Sequence, residues 1–300
     1  MSPAYLERLS LPDLRQRAVE LREMLRECTV CPRECGAART EGGVGVCRST
    51  DEVFVSQIGA HYGEEPPLVG WGGSGTIFFT RCNLWCLFCQ NYDISHLDIG
   101  RPISAPDLAD AMLSLERRGC HNINLVTPTH FSPQIIESLV IAVERGLQVP
   151  LVYNCSGYES VTTLRLLDGI VDIYMPDLKY SSNEHARRYS GIKDYWDMAQ
   201  PAIREMHRQV GDLILDRRGV AQRGLLVRHL VLPNGLAGSR AILDFVAREI
   251  SSDTYINIMD QYHPEFKAAK HRELDRGIST REFNEVVEYA RQIGLHRGFL

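Results

Sequence analysis

TIFFTRCNLWCLFCQN, residues 76–91, carries two readings that meet at one point. Thr76–Thr80 is a run of β-branched and aromatic residues, the composition of a buried strand. Cys82, Cys86 and Cys89 follow at once, spaced C-x3-C-x2-C. Three thiolates on one tight loop can ligate three irons of a cubane cluster and leave the fourth iron open. Zinc in a structural site asks for four protein ligands, and this loop offers three. The stretch therefore predicts a strand with a metal-cluster loop at its C-terminal end.

Further apolar runs of strand type lie at 53–58, 122–127, 150–154, 170–175, 225–232 and 255–259. Helical patterns lie between or after them, at 105–118, 133–146, 159–167, 195–211, 238–250 and 280–293. An amphipathic helix is expected over 4–27. Ser132 before Pro133 reads as an N-cap, and Thr280 as the cap of the last helix. From residue 76 onward six strands alternate with helices, which predicts an α/β fold with a parallel sheet and right-handed crossovers. An open doubly wound sheet and a full or partial (β/α) barrel both fit that order. In either, the functional groups gather at the C-terminal ends of the strands. The polar stretch 260–279 is long for a loop and is expected to cover a site.

The chain has 300 residues, 44% of them hydrophobic, and a net charge of −5. That length and composition can bury one large domain with a small appendage. The expected division is an N-terminal helix at 1–27, a cysteine-rich metal-binding extension with its connecting loop at 28–75, and a catalytic unit at 76–300. Bulk charge gives no support for nucleic-acid binding. No apolar stretch is long enough to span a membrane, and the charged N-terminus is no signal peptide, so a cytoplasmic location is expected. Nine cysteines in a reducing compartment argue for metal binding over disulfides. Four of them, Cys28, Cys31, Cys35 and Cys47, can close a tetrahedral zinc site or hold a second iron–sulfur cluster. Cys120 reads as a core residue, and Cys155 follows a predicted strand end.

The spacing C-x3-C-x-aromatic-C, with Phe88 before the last Cys, resembles the signature of radical S-adenosylmethionine (SAM) enzymes. The strings GSGTIFFTRCNLWCLFCQN, VYNCSGY, VDIYMPDLKY and NIMDQYHP look more specifically like the activating enzymes of glycyl radical enzymes. Their likeness is to the PflX-like branch, named for similarity to pyruvate formate-lyase-activating enzyme, over most of residues 20–293. The resemblance implies a partial (β/α)6 barrel, a [4Fe–4S] cluster and SAM. It implies reductive cleavage of SAM to methionine and a 5′-deoxyadenosyl radical that abstracts hydrogen from a substrate. It also implies a reducing partner such as flavodoxin or ferredoxin, and a glycyl radical enzyme or other protein as substrate. Radical modification of a small molecule or peptide without a stored radical is the alternative within the superfamily. A non-enzymatic electron carrier or metal-binding adaptor is the alternative outside it.

The same resemblance points to SAM-binding residues. Asn154 and Ser156 lie in a turn similar to an Asp-Thr-Asn-Gly turn near SAM and a monovalent cation, with Asn154 standing where that turn has Asp. Asp177 and Lys179 match an Asp-Leu-Lys string near SAM. Arg228 resembles an Arg that faces the SAM carboxylate, and a guanidinium suits that carboxylate by bidentate pairing. His229 should point to the opposite side by strand alternation. His263 resembles a His near the ribose or methionine of SAM. A Gly-Gly-Glu-type turn that receives the SAM amino group is replaced here by Thr127-Pro128-Thr129-His130.

Overall fold

Burial separates the inner strands from the rest. Ile123–Val126, Leu151–Cys155 and Ile173–Pro176 are buried at every position, as in a parallel sheet covered on both faces. The computed structural model describes residues 1–299. Its strands are β1 (Val53–His61), β2 (Ser74–Phe79), β3 (Arg101–Ile103), β4 (Ile123–Val126), β5 (Leu151–Cys155), β6 (Ile173–Pro176), β7 (Ile214–Leu215), β8 (Ala221–Leu230) and β9 (Tyr255–Met259). β2, β4, β5, β6, β8 and β9 pair side by side in that order, all parallel. β1 lies antiparallel on the outer side of β2, and β3 on β1. β7 forms an antiparallel pair with the start of β8.

The C-terminal ends of the six parallel strands converge. Phe79, Val126, Asn154, Asp177, Arg228 and Met259 come from or directly follow those strands and line one cavity. A flat sheet cannot bring its first and sixth strands to one cavity, so the array curves, as a partial barrel does.

Several local expectations are corrected. The helix expected over 4–27 breaks into Ala4–Glu7 and Leu11–Glu23. Ser10 adopts an extended backbone and forms a capping box with Asp13, which competes with continuation of the helix. Ser132 is inside its helix, with Phe131 at the cap, and its hydroxyl donates to the Pro128 and Thr129 carbonyls. Ser279, not Thr280, caps the last helix through a capping box with Glu282. An unforeseen helix, Asn183–Ser190, is capped by Ser182 and ended by Gly191 in the left-handed region. The expected helix at 238–250 finishes as a π turn over Val246–Ile250.

The N-terminal helices are tied to the sheet by one buried carboxylate. Asp172, 2% exposed, accepts from the Ala4 amide at 2.7 Å and the Leu151 amide at 2.9 Å. Asp172→Ala strands both buried donors. It is expected to lower the urea-unfolding free energy by about 2–4 kcal/mol; a change under about 0.5 kcal/mol would show that neither bond matters to stability.

Candidate functional site

The loop after β2 places Cys82, Cys86 and Cys89 on the wall of a cavity of about 250 Å3. Each sulfur has a polar neighbour. The Leu84 amide donates to Cys82 Sγ at 3.3 Å, and Ser190 Oγ donates to Cys86 Sγ at 3.0 Å. Cys89 Sγ and Ser95 Oγ lie 3.2 Å apart. Burial pushes the Cys82 thiol up, and the neighbouring Cys86 adds to this. Burial likewise raises Cys86, to about 11, against the pull of Lys179.

Facing the thiols is a lattice of charges from the ends of β5, β6 and β8. Asp177 Oδ2 accepts from Lys179 Nζ at 2.7 Å, and Asp177 Oδ1 from Arg228 Nε at 2.8 Å. Arg228 Nη2 donates to Asn154 Oδ1 at 3.0 Å. Burial pushes the Asp177 carboxyl up, but Arg228 and Lys179 outweigh it and hold it below the usual carboxylate range. Gly157 permits the turn between Asn154 and the lattice. Its φ is +74°, and a Cβ there would sit 2.7 Å from the Asp177 carbonyl oxygen.

Cys82, Cys86, Phe88, Cys89, Asn154, Ser156, Asp177, Lys179 and Arg228 thus all line the same cavity, and Cys155 joins them. His263 does not. Its side chain is 60% exposed and pairs with Glu265 at 3.3 Å, while Met259 and Gln261 take the places on the wall. His229 points away from Arg228, between the Leu178 carbonyl and Ser239. His130 is buried away from the cavity, with Nε2 2.9 Å from the Thr80 carbonyl, and burial pushes its pKa down to about 3. Thr127 lines the cavity at a φ of +60°. This backbone region suits glycine and is rare for a β-branched residue. The segment that replaces the Gly-rich turn therefore differs from it in side chain while holding a glycine-like bend at Thr127.

Two site residues had no reading in the sequence. Glu64 Oε1 meets Arg228 Nη1 at 3.4 Å, and Glu64 Oε2 accepts from Asn124 at 3.0 Å. Glu65 accepts from Asn257 at 2.8 and 3.0 Å. The loop after β1 thereby brings two carboxylates to side chains of β4, β8 and β9, where Glu64 meets the Arg228 of the cavity wall. The sole signal was the pair Glu64-Glu65 inside a Gly- and Pro-rich loop.

The stretch 260–279 packs over the cysteine loop. Its Lys267 amide donates to the Leu87 carbonyl at 2.9 Å, and Gln90 donates to the Gln261 carbonyl at 3.1 Å. Phe266 stacks on Tyr92 and His96, with centroids 5.2 and 4.4 Å away.

The N-terminal cysteines also come together. Cys28, Cys31 and Cys47 are buried, and a Cβ placed on Gly45 would meet Cys47 Sγ at 3.3 Å and Cys35 Sγ at 3.4 Å. Among the described residues no three His, Cys, Asp or Glu side chains, in either cysteine group, already converge as ligands around one point. At the loop of Cys82, Cys86 and Cys89 the donor set nevertheless fits a cubane. Three sulfurs share a cavity with Arg81 and Ser156, whose buried Nη1 and Oγ have no hydrogen-bond partner among the described residues. A larger groove of about 1140 Å3 lies between Arg33, Val46, Tyr158 and Lys193, but none of the three cysteines reaches it.

No helix is long and apolar enough to cross a membrane among the described residues. Residues 76–217 match the Radical SAM superfamily. Over 295 residues the chain is 30% identical to uncharacterized protein MJ0674 of Methanocaldococcus jannaschii, covering 95% of this chain and 80% of that one. A radical SAM methyltransferase from Sphaerobacter thermophilus superposes with a TM-score of 0.51 at 14% identity, over 76% of this chain and 66% of that one. SuiB of Streptococcus suis, solved with its precursor peptide SuiA, superposes with a TM-score of 0.50 at 14% identity, over 73% and 46%. The chain therefore spans less than two thirds of either solved protein, and these two likenesses concern the fold alone. The superfamily implies a [4Fe–4S] cluster, SAM and a reductant. With that domain spanning the cysteine loop and the first strands of the parallel array, the chain belongs to the radical SAM superfamily, in one family with the Methanocaldococcus protein.

Proposed function

We propose that the chain is a radical SAM oxidoreductase of the pyruvate formate-lyase-activating type, which generates a radical on a protein substrate, a glycyl radical enzyme. In this reading Cys82, Cys86 and Cys89 hold the catalytic [4Fe–4S] cluster. The observation that carries it is the meeting of those three sulfurs with Asp177, Lys179 and Arg228 in one cavity at the C-terminal ends of the strands. The cluster and SAM, when bound, supply one-electron cleavage of the sulfonium to methionine and a 5′-deoxyadenosyl radical. The chain's own residues bind and orient. Arg228 offers a forked cation to a carboxylate. Asp177 holds Arg228 and Lys179 in place from between them. Asn154 and Ser156 present polar atoms from the adjacent turn. Phe88, 5% exposed and packed edge-on against Tyr180 and Tyr262, keeps water from the back of the cysteine loop. Cys28, Cys31, Cys35 and Cys47 hold a second centre, zinc or iron–sulfur, and flavodoxin or ferredoxin delivers the electron. The division of the chain at residues 27 and 75 follows from these assignments.

Anaerobic incubation of the reconstituted protein with SAM and a reductant tests the reading. Formation of 5′-deoxyadenosine, with a protein-centred doublet in the electron paramagnetic resonance spectrum of a candidate glycyl radical partner, is the expected result. 5′-Deoxyadenosine without a doublet on any such partner would move the substrate to a small molecule or peptide. No 5′-deoxyadenosine at all would leave an electron carrier or adaptor.

A further inference from the structure

Arg39 is fully buried, at 0% exposure, and among the described residues no carboxylate pairs with it. Its Nε and Nη2 donate to the Thr50 carbonyl at 3.0 and 2.7 Å, and Nη1 to the His130 carbonyl at 2.7 Å. Those oxygens satisfy hydrogen bonds but carry no net charge. A buried cation without a counter-charge is strongly unfavourable. The guanidinium also faces the Phe131 ring, 5.9 Å from its centroid, and Nη1 lies 3.9 Å from Cys28 Sγ.

That sulfur belongs to the four-cysteine group. Cys35 is in side-chain contact with Cys28, Cys31 lies near Cys28 and Cys47, and a Cβ on Gly45 would meet both Cys47 Sγ and Cys35 Sγ, at 3.3 and 3.4 Å. As four thiols the group is neutral and leaves Arg39 uncompensated. As four thiolates around Zn2+ or a [4Fe–4S]2+ core it carries a net charge of about −2, the partner that a buried guanidinium requires.

Arg39 and its neighbour Arg33 also reach the catalytic loop. The His130 carbonyl that Arg39 holds belongs to the residue whose ring contacts the Thr80 carbonyl, two residues before Cys82. Arg33 donates to the Asn83 carbonyl at 3.0 Å, one residue after Cys82, and to the Gly191 carbonyl at 2.8 Å. The segment from Cys28 to Cys47 thus grips the chain on both sides of Cys82.

We infer that the four cysteines form a dianionic tetrathiolate centre, that Arg39 is its internal counter-cation, and that the loaded centre braces the loop of Cys82, Cys86 and Cys89. The inference rests on the second metal centre proposed above and adds its charge, its partner and its task. Arg39 is a positioning residue, not a catalytic one.

The test is a double-mutant cycle between Arg39→Met and Cys28→Ala/Cys31→Ala on the full reconstituted chain, read by zinc and iron content and by thermal unfolding. In the metal-loaded protein Arg39→Met should lower Tm by about 5 °C or more. In the Cys28→Ala/Cys31→Ala background, where the centre is gone, the same substitution should leave Tm unchanged or raise it. Full metal content in Cys28→Ala/Cys31→Ala would sink the second centre itself. Metal loss together with an equal fall in Tm from Arg39→Met in both backgrounds would keep the centre and overturn the role of Arg39. Should the alanine pair fail to fold, Arg39→Met and Arg39→Lys decide the matter alone. The second metal should be severalfold depleted in Arg39→Met and retained in Arg39→Lys, and equal occupancy in both would overturn the inference.

Discussion

Cys86→Ala should abolish 5′-deoxyadenosine formation from SAM and remove the iron of the catalytic cluster. The loop supplies three thiols. Two other sulfur side chains line the cavity, Cys155 and Met259, but they come from the ends of β5 and β9 and not from this loop, and a thioether is a poor substitute for a thiolate. Cys86 is also the deepest fixed of the three, 8% exposed and held by Ser190 at 3.0 Å. Its loss leaves two protein ligands, too few to retain a cubane. Cys120→Ala is the control. Cys120 is buried at 3% exposure, outside both cysteine groups, and its replacement should leave iron content and cleavage intact. A Cys86→Ala variant with a full cluster and full cleavage would end the proposed mechanism.

The second large effect is on SAM affinity. Arg228→Ala should weaken SAM binding by about 30-fold or more while iron content holds, because truncating one member of a buried charged hydrogen-bond network typically costs about 2–5 kcal/mol. Asp177→Ala should act in the same direction, since it frees Arg228 and Lys179 from their shared anchor. Arg228→Lys separates charge from shape. It keeps the cation but loses the fork, so an intermediate affinity is expected. Equilibrium titration with SAM under anaerobic conditions, with iron determined on the same samples, gives both readouts. Unchanged affinity in Arg228→Ala and Asp177→Ala would make the lattice purely structural.

What could be read in advance follows from where the information lies along the chain. The inner strands are continuous apolar runs because both faces are covered, so β4, β5 and β6 announce themselves locally. The cysteine loop is equally local, with three cysteines inside a stretch of eight residues. Asn183–Ser190 escaped because most of its surface is polar; Ala186, Tyr189 and Ser190 alone are buried, and the Ser182 cap and Gly191 terminator were its only marks. Glu64 and Glu65 escaped for a different reason. A carboxylate pair in a Gly- and Pro-rich loop looks solvated until Asn124, Arg228 and Asn257 arrive from distant strands. His263 shows the converse. Its motif is present, yet the chain beyond Tyr262 carries it outward, and no local pattern records that direction. Arg39 is the same lesson at the N-terminal group, since a lone Arg between glycines and cysteines gives no hint of complete burial.

The parallel array has a seam. Among the described residues no ladder joins β2 to β9, yet the chain leaving β9 crosses back to the cysteine loop of β2, where the Lys267 amide and the Gln261 carbonyl are bonded to it. This crossing works as a clasp, held by those bonds, by Phe266 on Tyr92 and His96, and by Tyr262, Ala268 and Leu274 buried beneath it, and its local opening costs less than global unfolding. Undoing it uncovers the thiols and parts the seam in one event. Loss of iron to air and proteolytic nicking within 260–279 are therefore two clocks driven by one opening rate, and both should run on a shallower denaturant dependence than the loss of the fold.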